Sequence, residues 1–148
     1  MKIIEKNKKA YHDYFIEETF EAGIALEGNE VKSIRVNGIS LRDSFCHFDK
    51  GELFLKNAHV NPYEKGSHFN AEPRRNRKLL LNKHEIKKLI GKIAQKGFTL
   101  VPTKVYFKGN YLKVEIGLAK GKKQHDKRET LKEKQLKRES EREISKIK

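Results

Sequence analysis

The sequence predicts a mainly β, α+β protein: an OB-like antiparallel β-barrel of about six strands, two or three flanking helices and a basic C-terminal tail. Three observations carry this. Apolar and polar residues alternate in short runs joined by glycine-bearing turns, the period of half-buried strands. The runs do not alternate with helices in the βαβ sense, which favours an antiparallel sheet closed on itself. After residue 119 no aromatic residue appears and Lys, Arg and Glu dominate, a composition that cannot build a core. Residues 1–118 are therefore read as the body. Residues 119–148 are read as a tail, disordered alone and helical when bound.

Residues 1–10 are lysine-rich and read as a frayed leader, either disordered or touching RNA. Residues 11–26 form a first strand with Tyr14, Phe15, Ile16, Phe20, Ile24 and Leu26, and Gly23 marks a bulge or bend. Residues 27–36 favour a short helix, with Val31 and Ile34 at helical spacing and Asn37-Gly38 as its stop. Residues 41–48 and 53–60 are two strands of a hairpin turning at Asp49-Lys50-Gly51.

Residues 61–76 hold Pro62, Gly66, Ser67 and Pro73 and read as a long loop, which in a small domain is usually functional or mobile. Asn82 caps the next helix, with Glu85 as its capping-box partner. That helix runs to about Lys96, buries Ile86, Leu89, Ile90 and Ile93, and stops at Gly97. Residues 98–107 and 111–118 make a second hairpin around Lys108-Gly109-Asn110. In the tail, the Glu133–Lys137 spacing supports helix weakly.

Charge narrows the partner. The chain of 148 residues carries a net +14 with 36% charged residues. From residue 119 onward there are twelve Lys and Arg against six Asp and Glu, which leaves +8 on the body. Both parts are basic, so nucleic acid is the leading partner. Cys46 is the only cysteine, which excludes an internal disulfide and a cysteine metal cluster. There is no long apolar run and no signal-peptide core, so the expectation is a soluble, cytoplasmic protein without membrane contact.

Catalysis finds little support. His12, Asp13, Glu17 and Glu18, or His125-Asp126, come with no phosphate loop, zinc spacing or nucleophile elbow. No enzyme activity, metal or cofactor is expected. RNA binding fits better: lysines neutralise phosphates and rings stack on unpaired bases. His12, Tyr14 and His125 are stacking candidates, with core packing an equal alternative for Tyr11 and Tyr14. His59 and His68, on or near the long loop, are assigned no site. Glu21 would by itself be a solvated strand residue.

Five stretches resemble the SsrA-binding protein (small protein B) family, and in the family's order: NKKAYHDYFIEETFEAGIAL from Asn7, EVKSIR from Glu30, NPY from Asn61, RRNRKLLLN from Arg74 and GLAKGKKQHDKRE from Gly117. The resemblance spans most of the chain and implies an OB-like barrel without enzymatic activity. It implies binding to the tRNA-like domain of transfer-messenger RNA, delivery with elongation factor Tu to stalled ribosomes, and trans-translation, with the tail entering the empty messenger channel. By motif position it makes Asn7, Glu21, Leu80 and Lys113 RNA-binding residues, with His12 close by, and adds Lys120, Lys122 and Lys123. It matches His125 to a stacking residue at the decoding centre and Asp126, Lys127 and Arg128 to the start of the tail. Arg74, Arg77 and Lys78 are weaker additions. The protein is expected to act as a monomer. The competing class is a general or ribosomal RNA-binding protein with an OB-like body.

Overall fold

The computed structural model describes residues 2–63 and 71–121. Among these, seven strands and three helices follow in the order β1 (Lys2–Lys6), α1 (Lys8–Asp13), β2 (Tyr14–Ile24), α2 (Gly28–Asn37), β3 (Phe45–Asp49), β4 (Glu52–Lys56), β5 (Arg77–Leu80), α3 (Lys83–Ile93), β6 (Phe98–Lys108) and β7 (Tyr111–Gly121). The sheet order is β1-β6-β3-β4-β5-β2-β7, and β6 also pairs with β7. Six strands thus close into a ring, with β1 added to β6 from outside. Every pairing is antiparallel.

Alternation drives closure. Leu112, Val114, Ile116 and Leu118 of β7 point inward to meet Leu100, Val105, Phe107, Ala22, Leu53, Leu55 and Leu79 from the other strands. Ile34 of α2 and Leu89 of α3 join the same core. A second, small cluster lies outside the barrel, where Ala10 of α1 packs on Val101 and Ala119, flanked by Tyr14 and Ile16.

Several elements differ from the sequence reading for identifiable reasons. The lysine-rich start is not frayed. Its lysines stay solvated while its backbone pairs with β6, and Ile4 packs against the core. The first strand begins at Tyr14, because Tyr11 to Asp13 complete α1. β3 and β4 are shorter than expected, but their turn is as read: Lys50 and Gly51 both have positive φ (51° and 80°), as a type I′ turn requires. α3 ends at Ile93, and of its four expected core residues only Leu89 is fully buried, while Ile90 is 42% exposed. The helix seats on the barrel end by a narrow contact, with Lys88 and Lys92 laid over the rings of Phe20 and Phe98. β7 continues through Ala119, Lys120 and Gly121, three residues assigned to the tail from sequence. Ala119 is hidden beneath α1 and so breaks the apolar-in pattern without ending the strand.

β5 is not legible in the sequence because its Arg77 looks like surface charge. Arg77 is fully buried, as is Glu30 nearly so. Arg77 Nε donates to Glu30 Oε2 at 2.7 Å, and its guanidinium also donates to the carbonyls of Ala58, Pro73 and Arg75. Arg75 Nε reaches the same carboxylate at 3.1 Å. Glu30 Oε1 in turn accepts from the backbone N–H of Glu27, the residue before α2. One carboxylate therefore ties α2, β5 and the end of the 61–76 loop together. The expectation that Arg77 contacts RNA is corrected: its side chain has no access to a partner.

Burial disfavours a charged Glu30, but hydrogen bonds from Arg75, the Glu27 backbone and Arg77 outweigh it and hold the carboxyl below its ordinary 4.5. Its contribution to stability is therefore complete above pH 4.5 and is lost as pH falls through the lower folded value. Glu30→Ala leaves Arg77 as an uncompensated buried charge. It should cost about 3–5 kcal/mol in urea unfolding at pH 7, and a cost below about 1 kcal/mol would show that the carbonyl partners suffice.

Candidate nucleic-acid interface

The outward side chains of β2, β7 and β6 form a polar face. The β2–β7 register sets Glu21 opposite Glu115 and Gly23 opposite Lys113. The β6–β7 register sets Tyr106 opposite Lys113 and Lys104 opposite Glu115. Gly23 also pairs with Leu80 on β5. Sheet register, not sequence proximity, thus gathers Glu21, Leu80 and Lys113.

The Tyr106 hydroxyl donates to the Glu21 carboxylate. Lys108 Nζ stands 3.5 Å from Glu21 Oε1. Thr103 Oγ1 donates to Glu115 Oε2 at 2.6 Å, and Lys104 Nζ lies 3.7 Å from Glu115 Oε1. The Tyr106 hydrogen bond, acting against desolvation, holds the Glu21 carboxyl below its ordinary value, with Lys108 and Lys113 adding to the effect. Burial first, and then the Glu21 carboxylate, push the Tyr106 hydroxyl up, so it stays a donor.

Leu80 is half exposed and sits over Gly23, where a Cβ would come within 3.4 Å of it. The face therefore offers ammonium groups for phosphates, fixed carboxylate acceptors for base or ribose donors, and an apolar platform.

The other sequence candidates lie elsewhere. Asn7 caps α1: its Oδ1 accepts from Ala10 N at 3.2 Å and its Nδ2 donates to Pro102 O at 2.8 Å. Its side chain holds α1 onto β6. His12, on the same helix, is exposed, with Nδ1 3.0 Å from Asp13. Lys120 has the parity of Leu118 and lies on the α3 side, with Nζ 4.7 Å from the Phe98 ring centroid. Arg74 is exposed and donates to Asn57, and Lys78 pairs with Glu52. Lys122, Lys123, His125, Asp126, Lys127, Arg128 and His68 lie outside the described residues, as do residues 64–70 of the long loop and the stretch expected to form a helix in the tail.

Sequence reasoning missed Lys104, Tyr106, Lys108, Thr103 and Glu115. The signal was present, since Lys104, Tyr106 and Lys108 alternate in one run and a two-residue turn fixes Tyr106 opposite Lys113. Among the described residues no three His, Cys, Asp or Glu side chains gather to hold a metal, and no helix is long and apolar enough to cross a membrane.

Residues 4–146 match the family model described as SmpB protein. The chain belongs to the SmpB family. An SsrA-binding protein of Carboxydothermus hydrogenoformans is 60% identical over 145 residues, covering 98% of this chain and 95% of that relative. One of Geobacillus kaustophilus is 56% identical over 141 residues, covering 95% and 91%. A solved chain described as "tmRNA-SmpB: a journey to the center of the bacterial ribosome" superposes with a TM-score of 0.66 at 56% identity, covering 80% of this chain and 83% of that one. The SmpB-family barrel is therefore the scaffold on which the Glu21 face is presented.

Tyr106→Phe removes the strongest influence on Glu21. The Glu21 carboxyl should then titrate closer to its ordinary 4.5 than in the native chain, followed by NMR of the side-chain carboxyl carbon. An unmoved titration refutes the assigned hydrogen bond.

Proposed function

We propose that this chain binds the tRNA-like domain of transfer-messenger RNA (SsrA RNA) and delivers it to stalled ribosomes for trans-translation. The observation that carries this reading is the outer face of β2, β7 and β6, where Glu21, Lys113 and Leu80 converge in a member of the SmpB family. Lys104, Lys108 and Lys113 meet phosphates, each contact steepening the salt dependence by roughly 0.7–0.9 in log–log slope. Glu21, fixed by Tyr106, accepts from a base or ribose donor. Leu80 packs beside it. Asn7 acts by placing α1, and His12 stacks or bonds from that helix. The solved relative's description pairs SmpB with tmRNA and the ribosome, which supports the same assembly here.

In this reading residues 119–148 divide their roles. Lys120, Lys122 and Lys123 contact RNA near the barrel end. His125, Asp126, Lys127 and Arg128 open a segment that takes helical form in the messenger channel at the decoding centre. Elongation factor Tu joins through the RNA, and the protein acts as a cytoplasmic monomer without catalysis or cofactor. The ordering of a basic segment is offset by counterion release.

The test is equilibrium binding of the full chain to the tRNA-like domain and to an elongator tRNA over a salt series. A preference for the tRNA-like domain that survives physiological salt is expected. Equal affinities collapsing together would instead favour a general RNA-binding protein. Glu21→Lys should cost about tenfold or more of that preference, the scale of a hydrogen bond to a charged group. Unchanged preference would remove Glu21 from the interface. Truncation after Gly121, which keeps all seven described strands, should retain most RNA affinity but abolish peptide tagging in a reconstituted system, and normal tagging would refute the role given to the tail.

A further inference from the structure

A cleft of about 370 Å³ opens between α1 and the turn before β3, within the roughly 300–1,000 Å³ of small-ligand sites. None of the residues that build the Glu21 face lines it. Ala10 and Val101 form a buried apolar floor, and Tyr14 and Phe45 stand on its walls. Phe45 is 44% exposed, a large ring left in solvent at the start of a strand. At the mouth, Lys9 Nζ and Asp43 Oδ1 are 3.8 Å apart, with side chains 66% and 61% exposed. An ion pair so exposed holds weakly and parts readily.

Both walls are fixed before any ligand arrives. Asn7 secures α1 through its backbone N–H to Thr103 O at 2.8 Å and its Nδ2 to Pro102 O. The opposite turn is held by Ser44 Oγ donating to Leu41 O at 2.6 Å and by Asn57 Nδ2 donating to Asp43 O at 3.0 Å. A preformed slot with an aromatic wall, an ammonium at its mouth and carboxylate acceptors suits one class of ligand in an RNA-binding chain. Stacking on an exposed ring is the ordinary way such chains capture unpaired bases.

We propose that this cleft is a pocket for a single unstacked nucleobase of the bound RNA, with guanine preferred. The base packs its face on Phe45, Lys9 leaves Asp43 Oδ1 for the adjoining phosphate, and the Asp43 carboxylate, whose Oδ2 stands 3.9 Å from the exposed Arg42 Nε, accepts from N1–H and the 2-amino group of guanine. Adenine, cytosine and uracil do not present that adjacent pair of donors. The inference rests on the RNA-binding reading above and adds a base-specific subsite to it.

The experiment measures affinity of the full chain for the tRNA-like domain over a salt series. Phe45→Ala should weaken binding about five- to a hundredfold, the span of base–aromatic stacking, with the salt slope unchanged because no phosphate contact is lost. Phe45→Tyr should restore affinity. Lys9→Gln should lower the log–log slope by roughly 0.7–0.9. The proposal is overturned if Phe45→Ala binds within about twofold of the native chain while unfolding at the same temperature. If the native chain shows no preference for the tRNA-like domain, the functional reading fails separately. The cleft is then judged by whether Phe45→Ala weakens binding of a guanine-rich single-stranded oligonucleotide more than that of an oligouridylate, and equal loss on both overturns the guanine pocket.

Discussion

Strand β7 is paired along both edges from Lys113 to Lys120, and the closed barrel exists because of it. One edge runs against β2 from Tyr14↔Gly121 to Gly23↔Lys113, the other against β6 from Phe98↔Lys120 to Lys108↔Tyr111. Without β7 the ring would open into a curved sheet with two free edges, the usual liability of antiparallel proteins. Its other neighbour shows how little slack remains. β6 meets β3 only at Leu100↔Cys46, and the rest of that edge is taken by β1. β1 is short and begins and ends in lysine, which discourages any further strand from adding to it.

The outer side of β7 explains why a chain of net +14 keeps acids in its middle. Glu21 and Glu115 face each other directly across β2 and β7, an arrangement that costs stability in an antiparallel pair. Each carboxylate is compensated by its own hydroxyl and its own ammonium: Tyr106 and Lys108 for Glu21, Thr103 and Lys104 for Glu115. The result is two acceptors whose positions are set beforehand, on a face that remains cationic overall. Lysines alone would bind any phosphate backbone. Fixed acceptors ask for donors in particular places, and that is where shape and base identity can enter.

The parts of the fold that were legible in the sequence are those decided by local chemistry. Asn82, Lys50-Gly51 and Gly38 sit at the cap, turn and helix stop that their side chains or positive φ demand. The four inward residues of β7 announce themselves by period. What stayed hidden is decided by neighbours distant in sequence. Arg77 reads as a surface charge until Glu30, 47 residues earlier, is seen to neutralise it. Ala119 reads as the first residue of the tail until α1 is placed over it. Tyr106 and Phe45 lie in strand runs whose period does not reveal that one, though buried, presents its hydroxyl to Glu21 and the other leaves nearly half its surface in solvent. The resemblance supplied Glu21, Leu80 and Lys113 without saying why they belong together. Register supplies the reason, since Gly23 is the common neighbour of the last two.

Register also separates residues that motif reading had grouped. Lys113 and Lys120 lie seven positions apart on one continuous strand. An odd spacing puts their side chains on opposite sides, and seven residues of strand span about 23 Å. Lys113 stands with Tyr106 and the Glu21 carboxylate on the outer face, while Lys120 stands over Phe98, which Lys92 of α3 also approaches. One flat RNA surface cannot cover both. With the RNA roles proposed above for both lysines, either a single RNA wraps the barrel end or the two meet different strands of RNA. Gly121 follows Lys120 at the last pairing of β7, so the described residues end at the α3 end of that strand. In the proposed reading, one RNA meets the outer face and the basic sequence continues from the other end of β7, which suits an adaptor between two RNA surfaces.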